Sequence, residues 1–490
     1  MPPYLTKSRY TRGLNCPRAL WLTVNRPELE SRPSAAQLAR FESGHAVGRL
    51  AQDLFPGGVE PTFDAGGLMG LVERTRAEIE RGTTTIYEAT FHHDNVFVRV
   101  DILHHGADGW ELHEVKSSTS VKEYHHDDLA IQYHVVAGAG LPVVRATLIH
   151  IDKNYVRKGS VEPVRLFTSG DLTKVTIEAQ PGVRSNLERL NRLVRQEAEP
   201  DTAIGPHCFT PGECPFRDHC WSCVPTPSIF DLWPDGSTRA LKLFSDGFAL
   251  IKDLPDKRLS LPERRVRDCH LSGTPYVNRE AIAGFLATLR YPLSFLDFET
   301  TAMVAVPLFD GTRPYKAVPF QYSLHVTLNP GDEPNHREFL HSGDDDPRPA
   351  FLERLLADLP HGGSIVSWNM TFERKILADL ASALPARAAE IGAICARFVD
   401  LMDLFRKKEV YFPAFGGSAS LKHVLPAVAP DLSYKELAVQ DGGMASDTWL
   451  RLRTEPDAGT CHELGQSLRD YCRLDTLAMV RILCWLDQSR

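Results

Sequence analysis

FVRVDILHHGADGWELHEVKSS, residues 97–118, decides how the amino-terminal half of this chain is read. FVRVDILHH (97–105) and WELHEVKSS (110–118) alternate apolar and polar residues with the two-residue period of a half-buried strand. The short GADG between them reads as a hairpin turn. Period two puts Glu114 and Lys116 on one face of the second strand, and pairing of the hairpin lets Asp101 meet them. Two carboxylates suit Mg²⁺ or Mn²⁺, which take oxygen ligands. Such a metal activates water, and a lysine beside it can orient that water or neutralise charge building on a phosphodiester. The same residues also fit a solvated strand face with an ion pair.

Outward from the hairpin, HDDLAIQYHVVAGAGL (126–141) reads as a helix ending in glycines, and VVRATLIHID (143–152) as a further strand. Strand, turn, strand, helix, strand is a compact αβ core. Glu88, in IYEATF on the strand before, could assist the site or be a surface glutamate. The pairs His92-His93, His104-His105 and His125-His126 read as exposed loop residues rather than ligands.

Cys208, Cys214 and Cys220 form C-x5-C-x5-C, and Cys16 stands far away in GLNCPRALWL. Thiolates are soft ligands that suit zinc or iron–sulfur clusters. The two close CxxC pairs of a zinc ribbon are absent, since Cys220 and Cys223 have no matching second pair. Plain buried thiols are the alternative. Cys269, Cys395, Cys461, Cys472 and Cys484 are scattered and read as structural.

Near residue 290 the texture changes. YPLSFLDFETT (291–301) is an apolar strand broken by acids, and its Asp297 and Glu299 share a face. QYSLHVTLN (321–329) and SIVSWN (364–369) read as strands. RPAFLERLLADL (348–359) and TFERKILADLASAL (371–384) read as helices. SLRDYCRLDTLAMVRILCWL (467–486) is a last long helix, on which Tyr471 and Asp475 share a face. This gives an amino-terminal domain over 1–225, a connector over 226–288 and an α/β domain over 289–490.

Hydrophobic content of 43% and charged content of 24% fit an ordinary globular protein, and a chain of 490 residues fits two large domains. No apolar run is long enough for a membrane span, and MPPYLTKSRYTRG lacks an apolar signal core, so a cytoplasmic protein with no membrane partner is expected. A net charge of -8 argues against coating of nucleic acid by the whole molecule but leaves room for local basic patches. The loop G-x4-G-K-[ST] is absent, so any unwinding would need a helicase partner.

Asp101, Glu114 and Lys116, followed by Gln132-Tyr133 on the next helix, resemble the RecB-like PD-(D/E)XK nucleases. The resemblance implies a restriction-endonuclease-like domain, with Asp101 and Glu114 as metal ligands and Lys116 and Gln132 as catalytic residues. It also implies a histidine in an early helix, for which His45 in GHAVGRLA is the candidate, out of the family's register. One early and three late cysteines around such a core resemble the iron–sulfur nucleases. That implies a [4Fe-4S] cluster on Cys16, Cys208, Cys214 and Cys220 which clips the two ends of the domain together.

Asp297-x-Glu299 with Tyr471-x3-Asp475 resembles the DEDDy 3′–5′ exonucleases of the RNase H-like (DnaQ-type) fold. The resemblance implies metal ligation by Asp297, Glu299, Asp400 and Asp475, with Tyr471 orienting the water. Glu373, in WNMTFE (368–373), fills a slot where aspartate is usual, and Asp403 follows Asp400 in FVDLMDLF. Ser420 and Lys422, in GGSASLKHVLP (416–426), are candidate phosphate contacts, or Lys422 is a solvated helix residue. The order of YLTKSRYTRGLNCPRALW, HEVKSS, the late cysteines, LDFETT, SWNMTFE and GSASLKHVLP resembles one bacterial family across nearly the full chain. That family fuses a RecB-like iron–sulfur nuclease to a DnaQ-like domain. The implied function is a Mg²⁺- or Mn²⁺-dependent nuclease, a DNA exonuclease in repair, recombination or defence, acting on DNA in preference to RNA. An RNA-processing exonuclease using the carboxy-terminal site and a non-catalytic nucleic-acid-binding scaffold are the alternatives.

Overall fold

The computed structural model describes residues 4–233, 236–301 and 304–490. Residues 1–3 of the amino-terminal stretch and 234–235 of the expected connector lie outside the described residues. The chain is mixed α/β and divides into two compact units, Met1–Cys223 with Val304–Tyr315, and Val224–Met303 with Lys316–Arg490. No helix among the described residues is long and apolar enough to cross a membrane.

The first unit is built on a six-stranded mixed sheet. Its strands are β1 (Leu5–Thr6), β2 (Thr85–His93), β3 (Val96–Gly106), β4 (Gly109–Lys116), β5 (Val143–Ile151) and β6 (Phe167–Asp171). The order is β1-β3-β4-β5-β6, with β2 also paired to β3. β3 and β4 form the hairpin read from the alternation, closing at Gly106 opposite Gly109. β4 and β5 run parallel, and the connection between them is the helix Glu123–Gly138. That helix packs with Lys7–Asn15 and Gln180–Leu193 on one core, where Leu5, Leu20, Val98, Leu129, Val135 and Leu190 are buried. A second apolar layer gathers Val47, Tyr87, Ile102 and Ile149, and Ala305 joins it.

Ala305 belongs to a segment that the sequence reading placed in the carboxy-terminal domain. Residues 304–315 instead pack within the first unit. The Arg157 guanidinium donates to the carbonyls of Pro307 at 2.9 Å and Leu308 at 2.7 Å, and the Gly311 N–H donates to the Arg157 carbonyl at 2.9 Å. The stretch 226–288, read as a connector, falls in the second unit. There β7 (Tyr276–Val277) pairs with a later strand.

The second unit holds a five-stranded mixed sheet of β8 (Leu293–Thr300), β9 (Pro319–Thr327), β10 (Asn335–Leu340), β11 (Ile365–Ser367) and β12 (Phe398–Asp400). The order is β10-β9-β8-β11-β12; β8, β9 and β10 are antiparallel, and β11 and β12 run parallel to β8. The partner of β7 is β13 (Val410–Tyr411). β9 is buried along its whole length. The helices Pro347–Asp358 and Met370–Ala383 form one apolar core with β8 and β9. The last helix, Ala458–Ser489, is 32 residues long and packs against β8 and β9.

Candidate functional site

β3, β4 and the helix Glu123–Gly138 bring the first set of residues together. Strand pairing ends at Ile102 opposite His113, and one residue further along β3 the Asp101 Oδ2 accepts the Val115 N–H at 2.7 Å. Glu114 is fully buried, and three side chains donate to its carboxylate. The Lys116 Nζ lies 2.7 Å from Oε1, the Gln132 Nε2 2.6 Å from Oε2, and the Lys7 Nζ 2.8 and 3.0 Å from the two oxygens. Lys116 is in turn 2.6 Å from Asp128 Oδ2. Gln132 is wholly buried, and its Oε1 has no hydrogen-bond partner.

The electrostatics split the two acids. Burial, and then the charge on Glu114, push the Asp101 carboxyl up to about 7. Burial pushes Glu114 the same way, but Lys7 and Lys116 override it and hold that carboxyl well below the usual range. Burial works against the Lys116 ammonium, but Glu114 and Asp128 hold its pKa above an ordinary lysine's. At neutral pH Glu114 is therefore charged and Lys116 protonated, while Asp101 is near its midpoint.

Glu88 stands at the level of Asp101 in the β2–β3 register, between the pairs Tyr87–Ile102 and Ala89–Val100. Its φ of 52° is left-handed, a conformation that costs a non-glycine residue about 1 kcal/mol or more. Its Oε2 lies 3.2 Å from Arg99, and burial raises its carboxyl. His45 sits exposed on the helix Ala35–Gln52. Beside Lys116 opens a groove lined by Ser118, Lys122, His125, Lys153 and Tyr315.

Cys16, Cys208, Cys214 and Cys220 line one small cavity, together with Arg18 and Phe216. Cys16 caps the helix Pro17–Asn25, its Sγ accepting the Ala19 N–H at 3.4 Å. Burial raises the Cys16, Cys214 and Cys220 thiols, the last to about 11, and Arg18 lowers Cys220. Cys223 is exposed and does not line this cavity.

In the second unit β8 and the last helix gather the acids. Asp297, Glu299 and Cys472 bring their ligand atoms within 4.8 Å of one another. The Cys472 Sγ lies 3.9 Å from Asp297 Oδ2. Asp475 is buried, and its Oδ1 accepts from the Tyr434 hydroxyl at 2.6 Å. Burial first, then neighbouring carboxylates, raise Asp297 and Glu299 far above the ordinary range. Burial also lifts Asp475 to about 6, against the hydrogen bonds from Tyr434 and Tyr471 and the charge on Lys422. Lys422 lies 5.6 Å from the Tyr471 ring and 5.8 Å from the Tyr434 ring, facing the acids.

Glu373 is buried on the first turn of Met370–Ala383, and burial raises it to about 8. Its Oε2 has no hydrogen-bond partner. Asp400 is engaged differently: its Oδ1 accepts the backbone N–H groups of Asn369 and Met402, each at 3.1 Å. This pins the residue before the helix, Asn369, in a left-handed conformation with φ 91°. Asp403 is tied up in ion pairs with Arg406 and Lys407.

Four contributors escaped the sequence reading. Lys7 reaches Glu114 across 107 residues and carries no local signal. Asp128 was legible, since it precedes Gln132 by four residues on one helix face. Tyr434 lies in a segment without periodicity, and Cys472, one of the scattered cysteines, carries no spacing that marks it as part of a site.

A family model described as a domain of unknown function, DUF2779, matches residues 294–420. The matched stretch takes in Asp297, Glu299, Glu373 and Asp400 and stops before Lys422, Tyr471 and Asp475. No curated protein matches the chain.

Proposed function

We propose that the chain is a metal-dependent nuclease with two separate centres, hydrolysing phosphodiester bonds of DNA in preference to RNA. The convergence of Asp101, Glu114, Lys116 and Gln132 from two strands and a helix is the observation that supports it most. The first unit, in this reading, is a RecB-like PD-(D/E)XK domain. The second is a DnaQ-like domain of the RNase H class, in keeping with three antiparallel strands extended by two parallel ones.

Asp101 and Glu114 fit Mg²⁺ or Mn²⁺: they are hard oxygen donors beside an unpaired buried amide oxygen, Gln132 Oε1. A divalent cation bound by them supplies Lewis acidity and a bound water of lowered pKa. Lys116, fixed between Glu114 and Asp128, holds its ammonium where negative charge develops on the phosphate. Gln132 locks the rotamer of Glu114. The lysine-lined groove at Lys122 and Lys153 offers the phosphate backbone a path to that point.

The second centre fits the same metals through Asp297 and Glu299, whose ligand atoms converge, with the charge of Asp475 felt by both and Glu373 Oε2 an unpaired acceptor. Tyr471 positions a water there, and Lys422 contacts phosphate. Asp400 orients the Asn369 turn through Oδ1, and its buried Oδ2, which has no hydrogen-bond partner, keeps it a candidate further ligand.

The four cysteines line one small cavity, and as soft thiolate donors they suit the [4Fe-4S] cluster that the resemblance to the iron–sulfur nucleases implies. The cluster's work here is structural, joining the ends of the first unit.

The test is cleavage of labelled single-stranded DNA, duplex DNA and RNA in Mn²⁺ by anaerobically purified wild type, Lys116→Ala and Asp297→Ala. Each variant is expected to lose one class of product by roughly a hundredfold or more. Equal activity of both variants and wild type on every substrate would reject the proposal, and RNA cleavage alone would shift it to RNA processing.

A further inference from the structure

The tip of the β2–β3 hairpin and the helix Glu123–Gly138 bring two imidazoles and a carboxylate together, none of them part of the acidic pocket at Glu114. His93 ends β2 and pairs with Val96, so Asp94 and Asn95 alone make the turn. Both have left-handed backbones, φ 48° and 59°, as a two-residue type I′ turn demands. That turn aims the Asp94 carboxylate at the helix. There His134 meets it, with Nε2 2.9 Å from Asp94 Oδ2, and His93 Nε2 lies 3.5 Å from the same oxygen. The three ligand atoms all lie within 4.8 Å of one another.

The geometry points to a divalent transition-metal site, for Zn²⁺ or a similar ion, formed by His93, Asp94 and His134. Two imidazoles and one carboxylate are the ligand chemistry that zinc favours over Mg²⁺ or Ca²⁺. With bonds of 2.0–2.1 Å, neighbouring donors of a tetrahedral zinc stand about 3.3 Å apart, and the observed 2.9 and 3.5 Å lie on either side of that value. Exposure falls from 51% at Asp94 through 36% at His93 to 10% at His134, so the fourth position faces solvent. Gly138 completes the site: a Cβ there would lie 2.1 Å from the His93 ring, so only glycine lets that imidazole rest against the helix.

The consequence is a clasp. β2 and β3 carry Glu88 and Asp101, and the helix carries Asp128 and Gln132. A metal at the hairpin tip would tie the hairpin to the helix, which separately donates through Gln132 to Glu114 of β4. The proposal stands whether or not the chain is a nuclease, because it rests on three ligands outside the acidic pocket.

The experiment measures Zn²⁺ uptake by the full chain with its cysteines loaded and excess Mg²⁺ present, with Co²⁺ absorption as a second readout. Wild type is compared with His134→Gln, Asp94→Ala and Gly138→Ala. His134→Gln keeps a donor to Asp94, so it preserves the hydrogen bond while removing the imidazole. The expected result is one equivalent of Zn²⁺ fewer in His134→Gln and Asp94→Ala. Gly138→Ala should bind about tenfold or more weakly with all three ligands intact. Unchanged circular dichroism and heat stability without metal would confirm that the folds are equal. If His134→Gln takes up as much Zn²⁺ as wild type, the cluster is only a hydrogen-bonded surface pair and the proposal is overturned. The same follows if wild type takes up none beyond its other sites.

Discussion

Asp475→Asn should make the metal-free protein more stable at alkaline pH and less responsive to metal. Asp475 is buried, and its carboxyl titrates near 6 in the fold against an ordinary value of 3.8. A raised folded pKa means that the fold binds the proton more tightly than the open chain does. Its stabilising contribution is full below about pH 4 and is lost as pH climbs through about 6. By pH 8 the ionised group costs the fold about 3 kcal/mol, at about 1.36 kcal/mol per pH unit between the two values. Asparagine removes the charge and keeps an oxygen to accept from the Tyr434 hydroxyl, now 2.6 Å away. Allowing for imperfect replacement, a gain of about 2 kcal/mol is expected near pH 8, or about 4–8 °C in Tm for a unit of this size. The gain should largely disappear near pH 4. Mn²⁺ reverses the order: at a hundredfold excess over its Kd it stabilises wild type by about 2.7 kcal/mol, and the variant by far less. Calorimetry in chelator and in Mn²⁺, at both pH values, reads all four quantities. The reasoning fails if the variant is less stable than wild type in chelator at pH 8, or if Mn²⁺ stabilises both alike.

Mn²⁺ affinity at the first centre should rise as pH passes through about 7, where Asp101 gives up its proton, and Asp101→Asn should flatten the profile; electron paramagnetic titration of free Mn²⁺ follows this. Cys208→Ser should bleach the brown absorption near 400 nm expected of the cluster. Losing a link that spans residues 16–208 should also destabilise the first unit by up to ~5 kcal/mol by the loop-entropy relation, seen as an earlier melting step. Lys7→Met removes an ammonium whose charge lowers both Asp101 and Glu114, so the acid limb of first-centre activity, set by Asp101 at about 7, should move to higher pH, measured as a pH–rate profile.

Much of the fold was legible where one face of an element is buried. The apolar–polar pattern marks β3 and β4 as strands although the fold buries both faces of β4 from Trp110 to Glu114, and GADG closes their hairpin where the register requires it. Elements without that contrast were missed. β10, NHREFL, is a strand of exposed and half-buried residues, and β12 is only Phe398–Asp400 inside a longer apolar run. The last helix starts nine residues before its apolar stripe, at Ala458, because Asp457 caps it by accepting the Thr460 N–H at 2.7 Å. That cap is a readable local signal. In the site, spacing along one strand or one helix gave Glu114 with Lys116 and Tyr471 with Asp475. Partners from distant segments, Lys7 and Tyr434, follow from tertiary packing and left no mark in local pattern. Glu88 shows a third limit: its left-handed backbone, opposite Asp101, is a property of the folded sheet alone.

Hydrolysis of nucleic acid by these side chains is the central expectation. End-labelled single-stranded DNA incubated with Mn²⁺ and either wild type or the Lys116→Ala/Asp297→Ala double variant, purified side by side, decides it. Metal-dependent product from wild type and none from the double variant is the predicted result. Equal product from both would mean that neither pocket cuts nucleic acid.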